Sequence, residues 1–247
     1  MTNSKSEKII LRKYDTNLAV NCIVRKSKRA RRISLRMRSV DTVVLTLPAR
    51  VSVSVGKQFL LDQEQWIRNK ASLFEEIPSL FEYFDSGNVV WLDDTPREVI
   101  ISSEEQRKRN NTWIDRDEIL FRLRFTENME TEILRECIKL AKEYLPKRLD
   151  TCSSKVNLHP FSCRVGNQRT RWGSCSCRGV ISLNWRIILL PYELGNYVLY
   201  HELAHLRELN HSTAFWNLLN EMIPDARGKD RELSKLGRKL MSLGFSE

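Results

Sequence analysis

No stretch of this 247-residue chain is apolar for long enough to cross a bilayer. The longest aliphatic run, Ile187–Leu190, falls far short of the ~20 residues that a spanning helix needs. The opening residues, MTNSKSEKII, are mostly polar and never become the apolar segment of a secretory signal, so the expected compartment is the cytosol. Cysteine is sparse: Cys22, Cys137, Cys152, Cys163, Cys175 and Cys177 stand at irregular spacings. That excludes the dense disulfide framework of a small secreted scaffold and predicts reduced thiols. Cys175-Ser176-Cys177 has no second pair at a structural-zinc spacing. There is no internal repeat and no low-complexity tract. With 41% apolar and 29% charged residues, the composition excludes a disordered chain and leaves a globular one of one large or two modest domains.

The charge is unevenly spread. Residues 1–40 hold 12 Lys/Arg against two acids, which accounts for the whole net charge of +10. Such a patch suits an anionic partner, nucleic acid included, and residues 25–38 are its densest part. The plainer reading is a solvated strand face. In Arg32-Ile33-Ser34-Leu35-Arg36-Met37-Arg38 the apolar residues alternate, which puts the arginines opposite the core.

Alternation and helical spacing set out the rest. The basic strand and Val43–Leu47, closed by Pro48, predict a hairpin, and Val55 to Phe74 predicts one helix. Val89–Leu92, Glu98–Ile101 and Trp113–Leu123 read as strands. Met129–Leu149 has the period of an amphipathic helix, with Ile133, Cys137, Leu140, Ala141, Tyr144 and Leu145 as its apolar positions. Strands are expected around Phe161–Val165 and Val180–Leu189, then a helix from Pro191 to Glu208, a second from a Ser212 or Thr213 cap to Pro224, and a last one through Leu233, Leu236, Leu240 and Leu243. The expected domains are an N-terminal tail or edge at 1–20, a β-rich region with one helix at 21–126, and a catalytic region at 127–247 whose active-site helix spans 191–208.

The chemistry is concentrated in Tyr200-His201-Glu202-Leu203-Ala204-His205-Leu206-Arg207-Glu208-Leu209-Asn210-His211, which holds three of the four histidines in the chain. On a helix, His201 and His205 project from one face one turn apart and reach a single metal, an HExxH arrangement. Glu202 stands beside them, placed to take a proton from water and return it to a leaving group. Asn210 can end the helix so that His211 turns back as a third ligand. Three protein ligands leave the fourth position of a zinc ion open, as catalysis requires.

With Arg169-Thr170-Arg171-Trp172-Gly173-Ser174-Cys175 and Ile181-Ser182-Leu183-Asn184-Trp185-Arg186 before it, and His211-Ser212 and Phe215-Trp216 after it, this segment resembles the YgjP-like metallopeptidase family. These are bacterial zincin-type proteins with a more distant likeness to SprT and Spartan proteases. The match is close over about 167–225 and looser in the first half. The resemblance implies an α+β fold, a zincin-like metallopeptidase domain with a β-rich N-terminal half and an edge strand above the metal. It implies Zn2+ on His201, His205 and His211, with Glu202 as general base. The chain departs from the family pattern at Leu92-Asp93-Asp94 and at Gly195-Asn196, inside the active-site helix.

Other candidates have two readings each. Arg169 and Arg171 either hold a carboxylate or phosphate of the substrate or pair structurally. Asn184 and Trp185 either line the cleft or belong to the core. Tyr197, one turn before His201, and its neighbour Tyr200 either donate to an oxyanion or are packed. Glu208 and Asp225 can orient a ligand imidazole, and Asp225 equally suits a local turn. His159 reads as a loop residue. The leading expectation is a cytoplasmic zinc metallohydrolase cleaving peptide bonds. The alternatives are a nucleotide pyrophosphatase acting on a nucleoside triphosphate, which the basic patch with Arg164, Arg169 and Arg171 would suit, and a protease docked on nucleic acid through residues 25–38. No membrane partner is expected.

Overall fold

A computed structural model describes residues 4–11, 18–38, 40–72 and 78–245. The chain divides into two compact units, residues 1–76 and 77–247. This differs from a boundary at 126/127: the strands between 89 and 124 belong to the same unit as the helices that follow them. Residues 4–11 and 18–20, read as tail or edge, are strand.

The first unit is a four-stranded sheet with two helices. β1 (Ser4–Leu11) runs antiparallel to β2 (Leu18–Ser27), β2 parallel to β4 (Thr42–Pro48), and β3 (Ser34–Met37) antiparallel to β4. The expected hairpin is present, and Leu35 and Met37 face the core while Ser34 and Arg36 face out. α1 (Val53–Asp62) starts at Ser52, whose hydroxyl accepts the Val55 amide, and α2 (Glu64–Ala71) follows. The single helix expected from Val55 is therefore broken at Gln63, and Phe74 lies outside the described residues. Glu64 opens α2 with an acid in its first turn, bonded by Arg68 one turn on. Gly56 lets α1 approach the sheet: a Cβ there would stand 2.6 Å from Leu47 Cδ2.

The second unit holds two sheets around one long helix. β5 (Val89–Trp91), β6 (Pro96–Glu104), β7 (Asn111–Ile114) and β8 (Glu118–Arg124) form one, in the order β5-β6-β8-β7. The strand expected over Trp113–Leu123 is thus a hairpin, turned where the Asp115 amide meets the Glu118 carbonyl. α3 (Leu80–Asp85), unforeseen between Pro78 and Gly87, is fixed by a capping box of Ser79 and Glu82. α4 (Met129–Val156) runs a turn and more past its expected end at Leu149 and continues through Pro146. The bond that Pro146 cannot make is to the carbonyl of Lys142, an exposed residue.

β9 (Ser162–Gly166), β10 (Gly173–Cys175) and β11 (Val180–Asn184) make the second sheet, in the order β10-β11-β9. β11 is shorter than the strand expected to Leu189. Asn184 accepts the Arg186 amide and starts a 3-10 helix, Trp185–Leu189, whose side chains are buried. α5 (Tyr192–Ala204), α6 (Thr213–Met222) and α7 (Ala226–Leu240) complete the unit, with Ser212 capping α6 as expected.

α5 is continuous through Gly195, and the glycine has a packing reason. The buried Arg148 of α4 lies against it, donates to the Tyr192 carbonyl and to Asn196 Oδ1 at 2.8 Å, and a Cβ at 195 would stand 2.6 Å from its Nη2. An alanine there would gain about 1 kcal/mol of helix propensity and meet an overpacking cost of about 1–3 kcal/mol, so Gly195→Ala is expected to lower the denaturation midpoint. A variant as stable as the parent in chemical denaturation would show that Arg148 does not demand the glycine.

Candidate metal centre

α5 delivers His201 and Glu202 from its last turn, and then ends sooner than its sequence suggests. The helix expected to reach Glu208 stops at Ala204, with His205 in the C-cap position. The amides of Leu206, Arg207 and Glu208 close back on Leu203 and Ala204 in a tightened turn, and His205 Nδ1 faces the Glu208 carbonyl at 2.8 Å. That early stop returns the chain through Asn210 to His211.

The three imidazoles converge. One ring nitrogen from each of His201, His205 and His211 lies within 4.8 Å of the others, and the Nε2 atoms of His201 and His211 are 3.0 Å apart. Phe215, fully buried on the first turns of α6, packs under all three: it stacks on His205 at 4.6 Å and meets His201 and His211 edge-on. The Ser212 cap, which accepts the Phe215 amide, sets that ring in place. In the sequence Phe215 stood out as part of the Phe215-Trp216 pair that carries the family resemblance, with no sign that it packs on the imidazoles.

The electrostatics suit a cation. Burial, then the neighbouring imidazoles, push His201 down to about 3, and burial also lowers His205, so both are neutral and have lone pairs to give. Glu202 is 5% exposed, burial pushes it up to about 8 against the pull of Arg171, and its Oε2 has no hydrogen-bond partner. A buried glutamate with an unmet oxygen beside three convergent imidazoles is a donor set that lacks one partner, a cation. The residues present therefore fit one metal ion.

Two of the imidazoles are also held from behind. His205 Nδ1 is committed to the Glu208 carbonyl, so Glu208 contributes its backbone and not its carboxylate. His201 Nδ1 lies 3.4 Å from the Tyr197 hydroxyl, which donates to Asp230 Oδ1 at 3.0 Å. Tyr197 is thus at the site as expected, but its hydroxyl is turned to Asp230 of α7, and burial and that carboxylate keep it protonated. Asp230 had no signal of its own, being 29 residues beyond His201 in a charged helix.

The remaining candidates separate. Arg171 lines the cavity beside Glu202. Arg169 is exposed with its guanidinium over the Phe245 ring, and Arg164 is exposed on β9. Asn184 is fully buried, where its amide holds the carbonyls of Gln168 and Arg171; it shapes the loop before β10 and does not line the cleft. Trp185 is core, and Tyr200 is buried beside Cys152. Asp225 caps α7 by accepting the Gly228 amide, the local turn role, and His159 bonds Ser153.

β10, the edge of its sheet, lies directly over Glu202: a Cβ on Gly173 would stand 2.5 Å from Glu202 Oε1. Asn184 donates to the Trp172 carbonyl and Ser176 to the Val180 carbonyl, so in this antiparallel pair Gly173 and Cys175 direct their N–H and C=O away from β11. An open backbone edge runs beside the carboxylate.

Residues 31–236 match the family described as YgjP-like, metallopeptidase domain. No curated protein matches the chain. Among solved structures, the metallopeptidase zymogen abylysin of Pyrococcus abyssi is similar at 27% identity over 36% of this chain and 91% of that one, with a TM-score of 0.33.

The pairing of Tyr197 with Asp230 predicts a measurable contribution to metal affinity. Tyr197→Phe and Asp230→Asn are each expected to weaken binding about 10–100-fold in competition with a chromogenic chelator. Affinity unchanged in both would remove the hydroxyl and the carboxylate from the support of His201.

Proposed function

The chain belongs to the YgjP-like metallopeptidase family, and we propose that it is a zinc-dependent peptidase in which His201, His205 and His211 hold the ion and Glu202 is the general base. The observation that carries this reading is the buried Glu202 with an unmet oxygen, set beside three convergent imidazoles. Three imidazole nitrogens in one cluster suit zinc. The ion, when bound, supplies the polarisation of the scissile carbonyl and the acidification of water.

The rest is done by the chain itself. Glu202 takes the proton of the attacking water and passes it to the departing amine. Gly173 and Cys175 offer outward N–H and C=O groups that pair with an extended peptide, laying its backbone across Glu202. Gly173 is required because any side chain there would collide with the general base. Arg171, exposed at the cavity mouth, is free to meet a carbonyl or carboxylate of the substrate. The proposed setting is the cytosol, which suits sparse thiols.

Glu202→Gln is expected to keep about one zinc per chain and lose about 10²–10⁴-fold in turnover, while His205→Ala loses the metal. Elemental analysis and cleavage of an unstructured protein check both. Undiminished cleavage in Glu202→Gln, or release of pyrophosphate from nucleoside triphosphates with no peptide cleavage, overturns the reading in favour of other chemistry.

A specific observation favours nucleic acid as a docking partner of the same chain. Arg25, Lys26, Lys28, Arg29, Arg31, Arg32 and Arg36 are all exposed or half-buried, and none forms an ion pair among the described residues. Arg25 and Arg36 occupy the sheet face opposite the buried Val24, Leu45 and Met37. Affinity for a mixed-sequence oligonucleotide should fall steeply with salt, and Arg32→Glu/Arg36→Glu should reduce the log–log slope by about 0.9 for each phosphate that is no longer neutralised. Binding absent at low salt, or a slope untouched by the substitutions, would make this face a solubilising one.

A further inference from the structure

The metal centre opens on one side into a cavity of about 480 Å³. It begins at His201 and Glu202, on the flank that faces α7. One wall is Trp172, at the start of the edge strand; the other is a stripe of α7, in which Leu233, Gly237 and Met241 recur every fourth residue. We propose that this cavity receives a bulky apolar side chain of the substrate, from the residue next to the scissile bond.

This deepens the peptidase reading and rests on it. The space is far larger than the ≈ 30 Å³ share of one water, and it is continuous with the general base, so whatever fills it is attached to the reacting group. Its chemistry selects the occupant. The cavity's carboxylates are Glu202, reserved for proton transfer, and Asp230, which accepts the Tyr197 hydroxyl; an acidic side chain would meet both. Arg171 at the mouth opposes a basic one. Leu233, Met241, Val198 and the Trp172 indole offer an apolar side chain the surface it prefers to water.

Gly237 is the second observation. It sits inside α7 with an ordinary helical backbone, where glycine is unfavourable and no turn calls for it. Space does: a Cβ at 237 would stand 3.2 Å from Trp172 Nε1, so a larger residue would displace the indole or fill the cavity. The glycine keeps the cavity deep, and Met241, one turn on, sets its floor.

The test is a peptide library, randomised on both sides of the cleaved bond and digested by the zinc-loaded wild type, Gly237→Ala, Gly237→Leu and Met241→Ala, with cut sites read by mass spectrometry. The wild type is expected to cut where one adjoining residue is Leu, Met or Phe. Gly237→Leu should lower kcat/KM for those sites about 10–200-fold and spare sites with Ala or Gly, while Met241→Ala should move the optimum toward Trp. Gly237→Ala, a helix-favouring change, gives a smaller shift in the same direction and guards against a folding failure; zinc content verifies each variant. Cleavage without preference at either adjoining position, or a preference that none of the three substitutions moves, overturns the side-chain pocket and leaves the peptidase standing. No peptide cleavage by fully loaded wild type overturns the peptidase reading and the pocket with it.

Discussion

A carboxyl group withdrawn from water next to three convergent imidazoles is the constraint around which the second unit is built. Glu202 alone, buried with one oxygen unmet, would be a pure cost to folding. It is tolerable because the same turn of α5 gathers lone pairs to a point where a cation offsets it. The neighbouring features follow from keeping that arrangement dry and aligned. Gly173 brings the edge strand down onto the carboxylate, Phe215 closes the underside of the imidazoles, and the end of α5 at Ala204 lets His211 return. Each would be a local defect elsewhere: a glycine in a strand, a buried ring against polar ones, a helix stopped short.

The support extends to the far end of the chain. Arg186 is fully buried, and its bonds go to carbonyl and amide oxygens: Leu243 O, Asn167 Oδ1 at 2.7 Å and Asn184 Oδ1 at 3.1 Å. Burial lowers its pKa only to about 10, so it is charged at neutral pH, and the Trp185 and Phe245 rings lie against its guanidinium. Through Asn184, whose amide grips the carbonyls of Gln168 and Arg171, this cation fastens the loop that leads into β10. The last described residues thereby hold the strand that covers the general base. A polar network of this kind fixes one geometry because every member has a partner that no alternative register would supply.

What could be read from the residues, and what could not, divides by the distance over which the causes act. His201, His205, Glu202 and His211 were legible because helical spacing and the scarcity of histidine are local facts, as were the Ser212 cap and the alternation of Leu35 and Met37. The end of α5 was not: Leu206-Arg207-Glu208 suits a helix, and the stop comes from the Glu208 carbonyl bonding an imidazole and from the return of His211. Asn184 read as a cleft residue because it is polar on a strand near the site, whereas tertiary packing turns its amide into the loop. The β7–β8 turn was hidden inside an apolar stretch, and α3 was too short to show a period. Asp230 and Gly237 had no local signature at all, since their meaning comes from Tyr197 and Trp172 across the cavity.

That division bears on how one such site can be specialised. The ligands, the base and the edge strand answer to the chemistry of an amide bond and leave little freedom. α7 touches the same cavity, and the residues of its inward stripe, Leu233 and Gly237 with Met241 at its end, hold none of the three imidazoles. Asp230 is the exception on that helix, tied to His201 through Tyr197, and with the buried Ala226, Leu233 and Leu240 it sets which face of α7 turns inward. Positions three, seven and eleven residues on from it, Leu233, Gly237 and Met241, line the cavity. One hydrogen bond beside the three imidazoles therefore also bears on which residues of the last helix line the proposed side-chain pocket.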